Sequence, residues 1–296
     1  MGKAQLKEKL AEYKEIIESN LQNLFPEDSI PRELKEAMQY SLSAGGKRLR
    51  PILCLAWGQL FGGERERILD FATSLELIHT YSLVHDDLPA MDNDDYRRGK
   101  PANHIRFGES TAILAGDALL TEAFRLMLLS DLPPDRVRRA AAEVATSTGP
   151  RGMVGGQILD MGLFKEPDIG LETLKQMHGM KTAELIKVSC LSGAILAGAE
   201  GEDLNKVGIY GTCIGLAFQV ADDILDVVGD KETLGKPVGS DEEEGKITYP
   251  SLIGLEESKK TAEGLICKAM DTIGHYQGEQ AEFLRDLSNY IIQRLE

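Results

Sequence analysis

The residues most able to do chemistry lie in the segment VHDDLPAMDNDDYRRGK, residues 84–100. Like charges packed this closely repel one another, so the cluster destabilises a fold unless water or a cation neutralises it. The segment therefore predicts a cation site with basic side chains beside it. Five aspartates fall within ten positions and three basic residues follow: Asp86, Asp87, Asp92, Asp94, Asp95, then Arg97, Arg98 and Lys100.

A second acidic cluster lies in the helical pattern GLAFQVADDILDVV, residues 215–228. On an α-helix Asp222 and Asp226 would lie about 40° apart, with Asp223 on the flank of the same arc and Gln219 about 60° from Asp222. Carboxylates on an apolar helix cannot enter a core unpaired. One such cluster could be a solvated helix edge, but two favour Mg²⁺, which takes carboxylates together with water and substrate phosphates. We expect two acidic walls facing each other around a diphosphate.

A proline divides the first cluster. Pro89 disfavours helical conformation at Leu88, so a helix through this segment should end there. The chain over residues 91–95 would then turn away from the helix axis. Asp92 need not follow the helical spacing, and its carboxylate could swing back toward Asp86.

A basic segment, GGKRLRP at residues 45–51, precedes another helical pattern. Pro51 suits the first turn of that helix. Backbone amides at a helix start, together with the lysine and arginine side chains of the segment, can bind phosphate. Basic residues ahead of a helix are ordinary on a surface, so this signal is weak alone. Combined with Arg97 and Arg98, it predicts a second anion pocket that uses side-chain cations in place of metal ions.

Helical periodicity dominates the elements that must position these segments. Apolar residues recur every three or four positions through many windows, and no alternating runs with hairpin turns occur, so we expect an all-α fold. Long apolar helices with short breaks predict one helical domain over residues 1–296. The polar stretch 229–250 is the exception, because loops of this length are usually lids or binding loops, otherwise disordered. The amino-terminal window illustrates the period: Leu10, Tyr13, Ile17 and Leu21.

Composition and charge limit the classes of molecule that the chain is expected to bind. The chain has 296 residues, 42% of them hydrophobic, which suffices for a sizeable core. A net charge of −15 argues against nucleic acid and anionic membranes as partners. The amino terminus has no apolar signal-peptide region and no membrane span, so we expect a cytoplasmic protein. Four widely spaced cysteines are interpreted as buried thiols in a reducing compartment: Cys54, Cys190, Cys213 and Cys267.

Several motifs together resemble a bacterial-type trans-polyprenyl diphosphate synthase. They occur in the order that this family uses and cover nearly the whole chain, and the two acidic motifs with a Pro-Ala insertion in the first are specific together. The resemblance implies an all-α isoprenoid synthase fold, acidic motifs facing across the mouth of a central cavity, and a homodimer. The motifs are GGKRLRP, IHTYSLVHDDLPAMDNDDYRRGKPANH, FGESTAILAGDALL, GGQILDM, MKTAELI, FQVADDILD and LGKPVG followed by GKITYP.

The resemblance also implies roles for individual residues. Three Mg²⁺ ions, with Mn²⁺ as an alternative, would be bound or oriented on an allylic diphosphate by Asp86, Asp87, Asp92, Asp222, Asp223 and Asp226. Contacts to the same diphosphate would come from Arg97, Lys181, Thr182, Gln219, Lys236 and Lys246, and Lys181 joins the aspartates in the catalytic set. The isopentenyl diphosphate pocket would contain Gly46, Lys47, Arg50, His79 and Arg98. The chain departs from the family at Ser240, where a lysine is frequent.

Two residues ahead of the first acidic motif concern product length. Tyr81 and Ser82 precede Asp86 by five and four positions, so they lie roughly 6–8 Å deeper along a helix. A bulky side chain there would form a floor for the growing product. Helical spacing prefers Ser82, whereas the resemblance points to Tyr81, because an aromatic residue at that position accompanies fifteen-carbon products in the family. We expect farnesyl diphosphate, with geranylgeranyl diphosphate as the alternative.

The expected activity is condensation of isopentenyl diphosphate with dimethylallyl and geranyl diphosphates. A terpene cyclase would need one diphosphate site and usually has a less symmetric second metal motif. A non-catalytic subunit of a heteromeric synthase should have lost an acidic motif, and both are intact here. The pair His85–Asp86 could indicate a metal-dependent phosphohydrolase, but that requires further histidine ligands in a matching helical frame.

Overall fold

Long helices make up almost all of the structure, a computed structural model that describes residues 2–26, 30–163, 170–228 and 246–292. The predicted all-α class is confirmed. None of the helices in these ranges is long and apolar enough to cross a bilayer. The helices are α1 (Lys3–Asn23), α2 (Arg32–Leu42), α3 (Leu49–Leu60), α4 (Arg65–Asp86), α5 (Asn103–Phe107), α6 (Glu109–Leu128), α7 (Pro134–Thr148), α8 (Met153–Leu163), α9 (Leu171–His178), α10 (Glu184–Ala197), α11 (Gly201–Val228), α12 (Tyr249–Ile253), α13 (Leu255–Ile273) and α14 (Glu279–Ile292).

Two short irregular elements interrupt the helices. A π-helical turn, Gly179–Ala183, joins α9 to α10. A hairpin of two-residue strands, β1 (Tyr96–Arg97) and β2 (Lys100–Pro101), pairs antiparallel with Arg97 opposite Lys100. Both elements carry residues that the sequence predicts to bind diphosphate.

The core lies where α3, α4, α10 and α11 meet. α3 and α10 approach closely because Gly193 has no side chain: a Cβ there would lie 1.9 Å from the backbone oxygen of Cys54. Trp57 of α3 is fully buried and packs edge-on against Tyr210 of α11, with ring centroids 5.0 Å apart. The same hydrophobic cluster reaches from α1 to α14.

Helix α4 carries the first acidic motif out of this core. It is buried over most of its length and packs against α3 and α6. It ends at Asp86, two residues before Leu88, whose helical conformation Pro89 disfavours. The core therefore fixes the position of Asp86, because the last turn of a buried helix has little freedom to move.

The cysteines match their predicted environment with one exception. Cys54, Cys190 and Cys213 are buried free thiols. Cys267 is also free but exposed, so the prediction of a buried thiol is wrong there. It lies on α13, next to the buried Ile266, and the helix turns it outward.

Candidate active site

The turn after α4 returns Asp92 to the end of that helix. The backbone N–H of Asp92 donates to the backbone oxygen of Asp86 at 2.8 Å. Asn93 adopts a left-handed conformation with φ 55°, and its N–H donates to the oxygen of Leu88 at 3.1 Å. The predicted break at Pro89 and the return of Asp92 toward Asp86 are both confirmed.

The carboxylates of this turn lack full solvation. Burial raises the pKa of Asp86 to about 7, although the charge of Lys181 opposes the shift and that of Asp92 adds to it. Loss of solvation also raises the pKa of Asp92, whose side chain reaches the surface, against the charges of Lys181 and Lys246. Two carboxylates that resist ionisation side by side favour a bound cation. The arrangement fits the expected metal site.

Arg97 and Asp87 bind each other. The Arg97 guanidinium donates through Nε to Asp87 Oδ1 at 2.8 Å, and Nη2 donates both to that oxygen and to Asp94 Oδ2, the latter at 2.8 Å. Asp87 is only 2% exposed. The family resemblance implied that Asp87 binds metal and that Arg97 binds diphosphate. In this structure the two side chains bind each other, so the implied contacts remain predictions.

The β1–β2 hairpin brings Arg98 to the glycines of the basic segment. Arg98 itself has φ 54° and sits at the hairpin turn. Its Nη1 donates to the backbone oxygen of Gly45. Gly46 has φ 133°, which favours glycine, and a Cβ there would lie 2.7 Å from the same Nη1, so a larger residue would displace the guanidinium. The two basic segments therefore meet, as the sequence predicted.

The buried side chain of Arg48 holds the basic segment against the protein interior. It is 2% exposed, adopts a left-handed conformation with φ 50°, and precedes the first residue of α3. Nη1 donates to Glu76 Oε1 at 2.6 Å, Nη2 to the Leu42 oxygen at 2.5 Å, and Nε to Glu18 Oε1 at 3.1 Å. These bonds hold a conformation that costs a non-glycine residue about 1 kcal/mol or more. Arg48 is thus part of the support for the pocket.

The other two cations of the basic segment differ in exposure, since Lys47 is exposed and Arg50 is largely buried. Burial lowers the pKa of Arg50 to about 10, partly offset by the charge of Glu76. Burial, and next the charge of Arg50, hold the pKa of His79 well below its usual range, so this imidazole is neutral. The ammonium of Lys47 lies 5.1 Å from the ring centre of Phe218 on α11. Of the residues predicted to bind isopentenyl diphosphate, Arg50 and His79 line one cavity, and Arg98 lies against Gly45 and Gly46.

The carboxylates of the second acidic motif differ from those of the first in their burial and their hydrogen bonds. Asp223 and Asp226 are buried, whereas Asp222 is partly exposed. Asp223 Oδ1 accepts from Gln219 Nε2 at 3.0 Å, and Oδ2 accepts from the backbone N–H of Tyr249 at 3.0 Å. Asp223 therefore fixes Gln219 and the start of α12. Among these carboxylates Asp222 is the one that reaches solvent.

The π-helical turn lies between the two acidic motifs. Lys181 donates to Asp160 Oδ2 at 2.5 Å, and its charge acts on Asp86. Thr182 donates through Oγ1 to Gln219 Oε1 at 3.1 Å, which ties the turn to α11. π-Helical turns inside helices occur frequently at functional sites. Lys181 and Thr182 therefore stand where both acidic motifs can be reached.

A cavity of about 580 Å³ opens beside these residues. Its size is typical of a small-molecule site, and most of its surface is apolar. Seven residues predicted from the sequence line it: Arg50, His79, Tyr81, Ser82, Asp86, Lys181 and Thr182. Apolar lining comes chiefly from α6 and α8: Ile113, Met153, Val154, Ile158 and Met161.

Both predicted chain-length residues face this cavity. Tyr81 is 7% exposed, and its ring packs edge-on against His85 with centroids 5.8 Å apart. Burial, and next the charge of Asp86, raise the pKa of Tyr81 to about 12. The Ser82 hydroxyl donates to the oxygen of His79 at 3.0 Å. Tyr81 is thus the bulkier of the two side chains available to limit a product.

Within the described ranges, no group of three His, Cys, Asp or Glu side chains is arranged to hold a metal ion. This gives no support to the phosphohydrolase alternative. Mg²⁺ differs from such ions because it commonly takes one or two carboxylates and completes its shell with water and substrate phosphates. A magnesium site shared by Asp86, Asp92 and Asp222 therefore remains a prediction.

Some site residues fall outside what the structure describes, and others were not found from the sequence. Lys236 and Ser240 lie outside the described residues, whereas Lys246 is described and acts on the pKa of Asp92. Asp160 and Glu76 were both missed. Each could have been found as a lone carboxylate inside an apolar helical window. Asp160 lies in GGQILDM, and Glu76 lies in LELIHTYSLV.

Comparisons with known proteins agree with this geometry. The chain matches the polyprenyl synthetase family over residues 31–291. It is 47% identical over 287 residues to a geranylgeranyl diphosphate synthase from Cyanophora paradoxa, covering 96% of this chain and 95% of that protein. A dimethylallyltranstransferase from Fischerella ambigua is 46% identical over 287 residues, covering 96% and 82% of the two chains. An FPP/GFPP synthase from Zymomonas mobilis has a similar structure, with a TM-score of 0.87 and 34% identity over 98% of this chain and 99% of that one.

These similarities confirm the family that the motifs predicted. They extend over nearly the whole chain, including both acidic motifs and the basic segment. They lend no support to a terpene cyclase. The chain belongs to the polyprenyl synthetase family and is a short-chain trans-prenyltransferase.

Proposed function

We propose that this prenyltransferase makes geranylgeranyl diphosphate from isopentenyl diphosphate and allylic primers, with farnesyl diphosphate as the alternative product. The cavity beside Asp86 carries the proposal, because cationic, acidic and apolar surfaces meet there. The expectation of farnesyl diphosphate, drawn from Tyr81, has less support than its alternative, since the curated relative at 47% identity is named a geranylgeranyl diphosphate synthase.

The allylic substrate would place its diphosphate between the acidic motifs and its chain in the apolar cavity. Lys181 and Lys246, whose charges act on Asp92, would contact the diphosphate together with Thr182. Lys181 would exchange Asp160 for a phosphate oxygen, so its ammonium keeps a negative partner throughout. Cations fixed before the reaction stabilise the charge that develops on a leaving group.

Magnesium, or manganese as an alternative, would supply Lewis-acid stabilisation of the departing diphosphate. Asp86, Asp92 and Asp222 would hold it, in a set of three ions. Asp223 would act by orientation, since Gln219 and Tyr249 already occupy its oxygens. The partly buried ion pair between Asp87 and Arg97 would keep the first motif in place.

Isopentenyl diphosphate would bind in the pocket formed by Gly46, Lys47, Arg50, His79 and Arg98. The carbon–oxygen bond of the allylic substrate breaks, and its electron pair leaves with the diphosphate. The isopentenyl double bond then attacks the allylic cation and forms the new carbon–carbon bond. Loss of a proton completes the step, and the released diphosphate is the proposed acceptor.

The direct test is product analysis. The protein is incubated with isopentenyl diphosphate and dimethylallyl, geranyl or farnesyl diphosphate, with and without Mg²⁺, and the dephosphorylated alcohols are chromatographed. We expect a twenty-carbon alcohol only when Mg²⁺ is present. A product that stops at fifteen carbons would select farnesyl diphosphate, and no product with any primer would contradict the proposed activity.

We also propose a homodimer in the cytoplasm. Exposed apolar side chains on α6 give the dimer some support, because an interface would remove them from water. They include Ile113, Leu114 and Leu128. Light scattering coupled to size-exclusion chromatography tests this, with about twice the 32.5 kDa chain mass expected.

A further inference from the structure

We propose that Glu76 is a positioning residue for the isopentenyl diphosphate pocket, which it serves by fixing the guanidinium group of Arg48 and, through it, the backbone of the basic segment. This inference rests on the proposed function, because it assigns that pocket to isopentenyl diphosphate. Glu76 contacts no substrate in this account. Substituting Glu76 should therefore weaken the affinity for isopentenyl diphosphate and leave the affinity for the allylic substrate nearly unchanged.

The burial of Glu76 is the first observation. Its side chain is 2% exposed and lies on α4, one helical turn before His79. Oε1 accepts from Arg48 Nη1 at 2.6 Å. Oε2 is buried and has no hydrogen-bond partner among the described residues. An ionised carboxylate is almost never buried without several partners, so this oxygen calls for a second donor.

Arg50 interacts with Glu76 through charge, because no hydrogen bond or ion pair joins these two described residues. Its Nε is buried and likewise has no hydrogen-bond partner in the described part of the chain, while the residue lines the cavity. The charge of Glu76 opposes the lowering of the Arg50 pKa that burial causes. It acts in the same direction on Arg98. The charge of this one buried carboxylate thus acts on both Arg50 and Arg98.

The bond from Arg48 extends this support to the backbone. Arg48 stands in a left-handed conformation between the glycines of the basic segment and the first residue of α3. Removing one partner of a buried ion pair leaves the other uncompensated, which is strongly destabilising. Without Glu76, Arg48 would have to move, and Gly46 and Lys47 would move with it.

A purely electrostatic role for Glu76 predicts the opposite change in the affinity for isopentenyl diphosphate. If Glu76 only weakened the positive field of the pocket, its neutralisation would strengthen the attraction for a diphosphate. Positioning predicts weaker binding, because guanidinium groups bind phosphate well only when their donors are aligned. The sign of the change in affinity therefore separates the two roles.

The experiment compares Glu76→Gln with the matched control Glu18→Gln. Glu18 also binds Arg48, through Nε at 3.1 Å, but its own side chain is partly exposed, whereas that of Glu76 is buried. KM is measured separately for isopentenyl diphosphate and for geranyl diphosphate, together with kcat and the thermal midpoint. We expect Glu76→Gln to raise KM for isopentenyl diphosphate by about tenfold or more and KM for geranyl diphosphate by less than about twofold. Glu18→Gln should change both by less than about threefold.

The inference is overturned if Glu76→Gln leaves KM for isopentenyl diphosphate unchanged or lowers it, or if Glu18→Gln matches its effect. If Glu76→Gln does not fold, Glu76→Asp carries the test. Its shorter side chain withdraws the carboxylate from the Arg48 guanidinium, so an unchanged KM for isopentenyl diphosphate also overturns it. An inactive wild-type protein would contradict the proposed function and the inference with it, whereas an active wild type beside an unaffected variant contradicts the inference alone.

Discussion

The two acidic motifs use the same residue type in opposite ways. At the end of α4, Asp86 and Asp92 lie side by side, and the pKa of each is raised. On α11, Asp223 is buried but accepts hydrogen bonds from Gln219 and Tyr249 at both of its oxygens. A carboxylate without sufficient partners attracts cations, whereas a satisfied one stabilises the scaffold. Sequence spacing shows where the aspartates are, but only their partners show which task each performs.

The largest expected effect comes from Asp86→Asn. It removes a negative charge proposed to hold metal, so turnover should fall by about a hundredfold or more. Steady-state product formation at saturating Mg²⁺ measures the loss, and circular dichroism confirms that the helices remain. Turnover within a few-fold of wild type would place the metal elsewhere.

Asp223→Asn should act mainly on stability. The amide keeps one acceptor but presents its NH₂ to donors, so the free energy of unfolding should fall by about 1–3 kcal/mol. Urea denaturation without Mg²⁺ checks this value. The metal-free Asp86→Asn protein serves as the comparison, because it should lose no stability. Equal destabilisation of the two variants would remove the proposed distinction between the motifs.

The pH dependence of stability sharpens the same comparison. The pKa of Asp86 rises from its ordinary 3.8 to about 7 on folding. The folded state therefore holds the proton more tightly, and stability falls as pH rises between these two values. From pH 5.5 to pH 8 the metal-free wild type should lose up to about 2 kcal/mol relative to Asp86→Asn. Parallel curves for the two proteins would show that Asp86 ionises normally.

The smallest effect concerns product length. Tyr81→Ala enlarges the cavity while leaving Asp86 and the cationic residues in place, so the product should lengthen by one or more five-carbon units. Chromatography of the alcohols reads the change, and Ser82→Ala is the matched control on the same helix. An unchanged distribution in Tyr81→Ala would show that Tyr81 does not limit the product.

Much of this site could be predicted from local patterns. The helical period, the break at Pro89 and the basic segment are short-range features, and each is found in the structure. The pairing of Arg97 with Asp87 could not be foreseen, because a guanidinium that can bind phosphate can equally bind a neighbouring carboxylate.

Long-range contacts explain what the sequence did not reveal. Glu76 meets Arg48 across 28 positions and Asp160 meets Lys181 across 21, so neither pair shares a local period. Lone carboxylates in apolar windows were visible, but their partners depend on how the helices pack. Such positions are useful to inspect in other helical enzymes.

The most direct measurement is calorimetric binding of an unreactive allylic thiodiphosphate to wild type, Asp86→Asn and Asp222→Asn, with and without Mg²⁺. If the two acidic motifs hold one metal-bound diphosphate, binding by the wild type requires Mg²⁺ and both variants lose most of it. Wild-type affinity in either variant, or tight binding without Mg²⁺, would contradict a shared site.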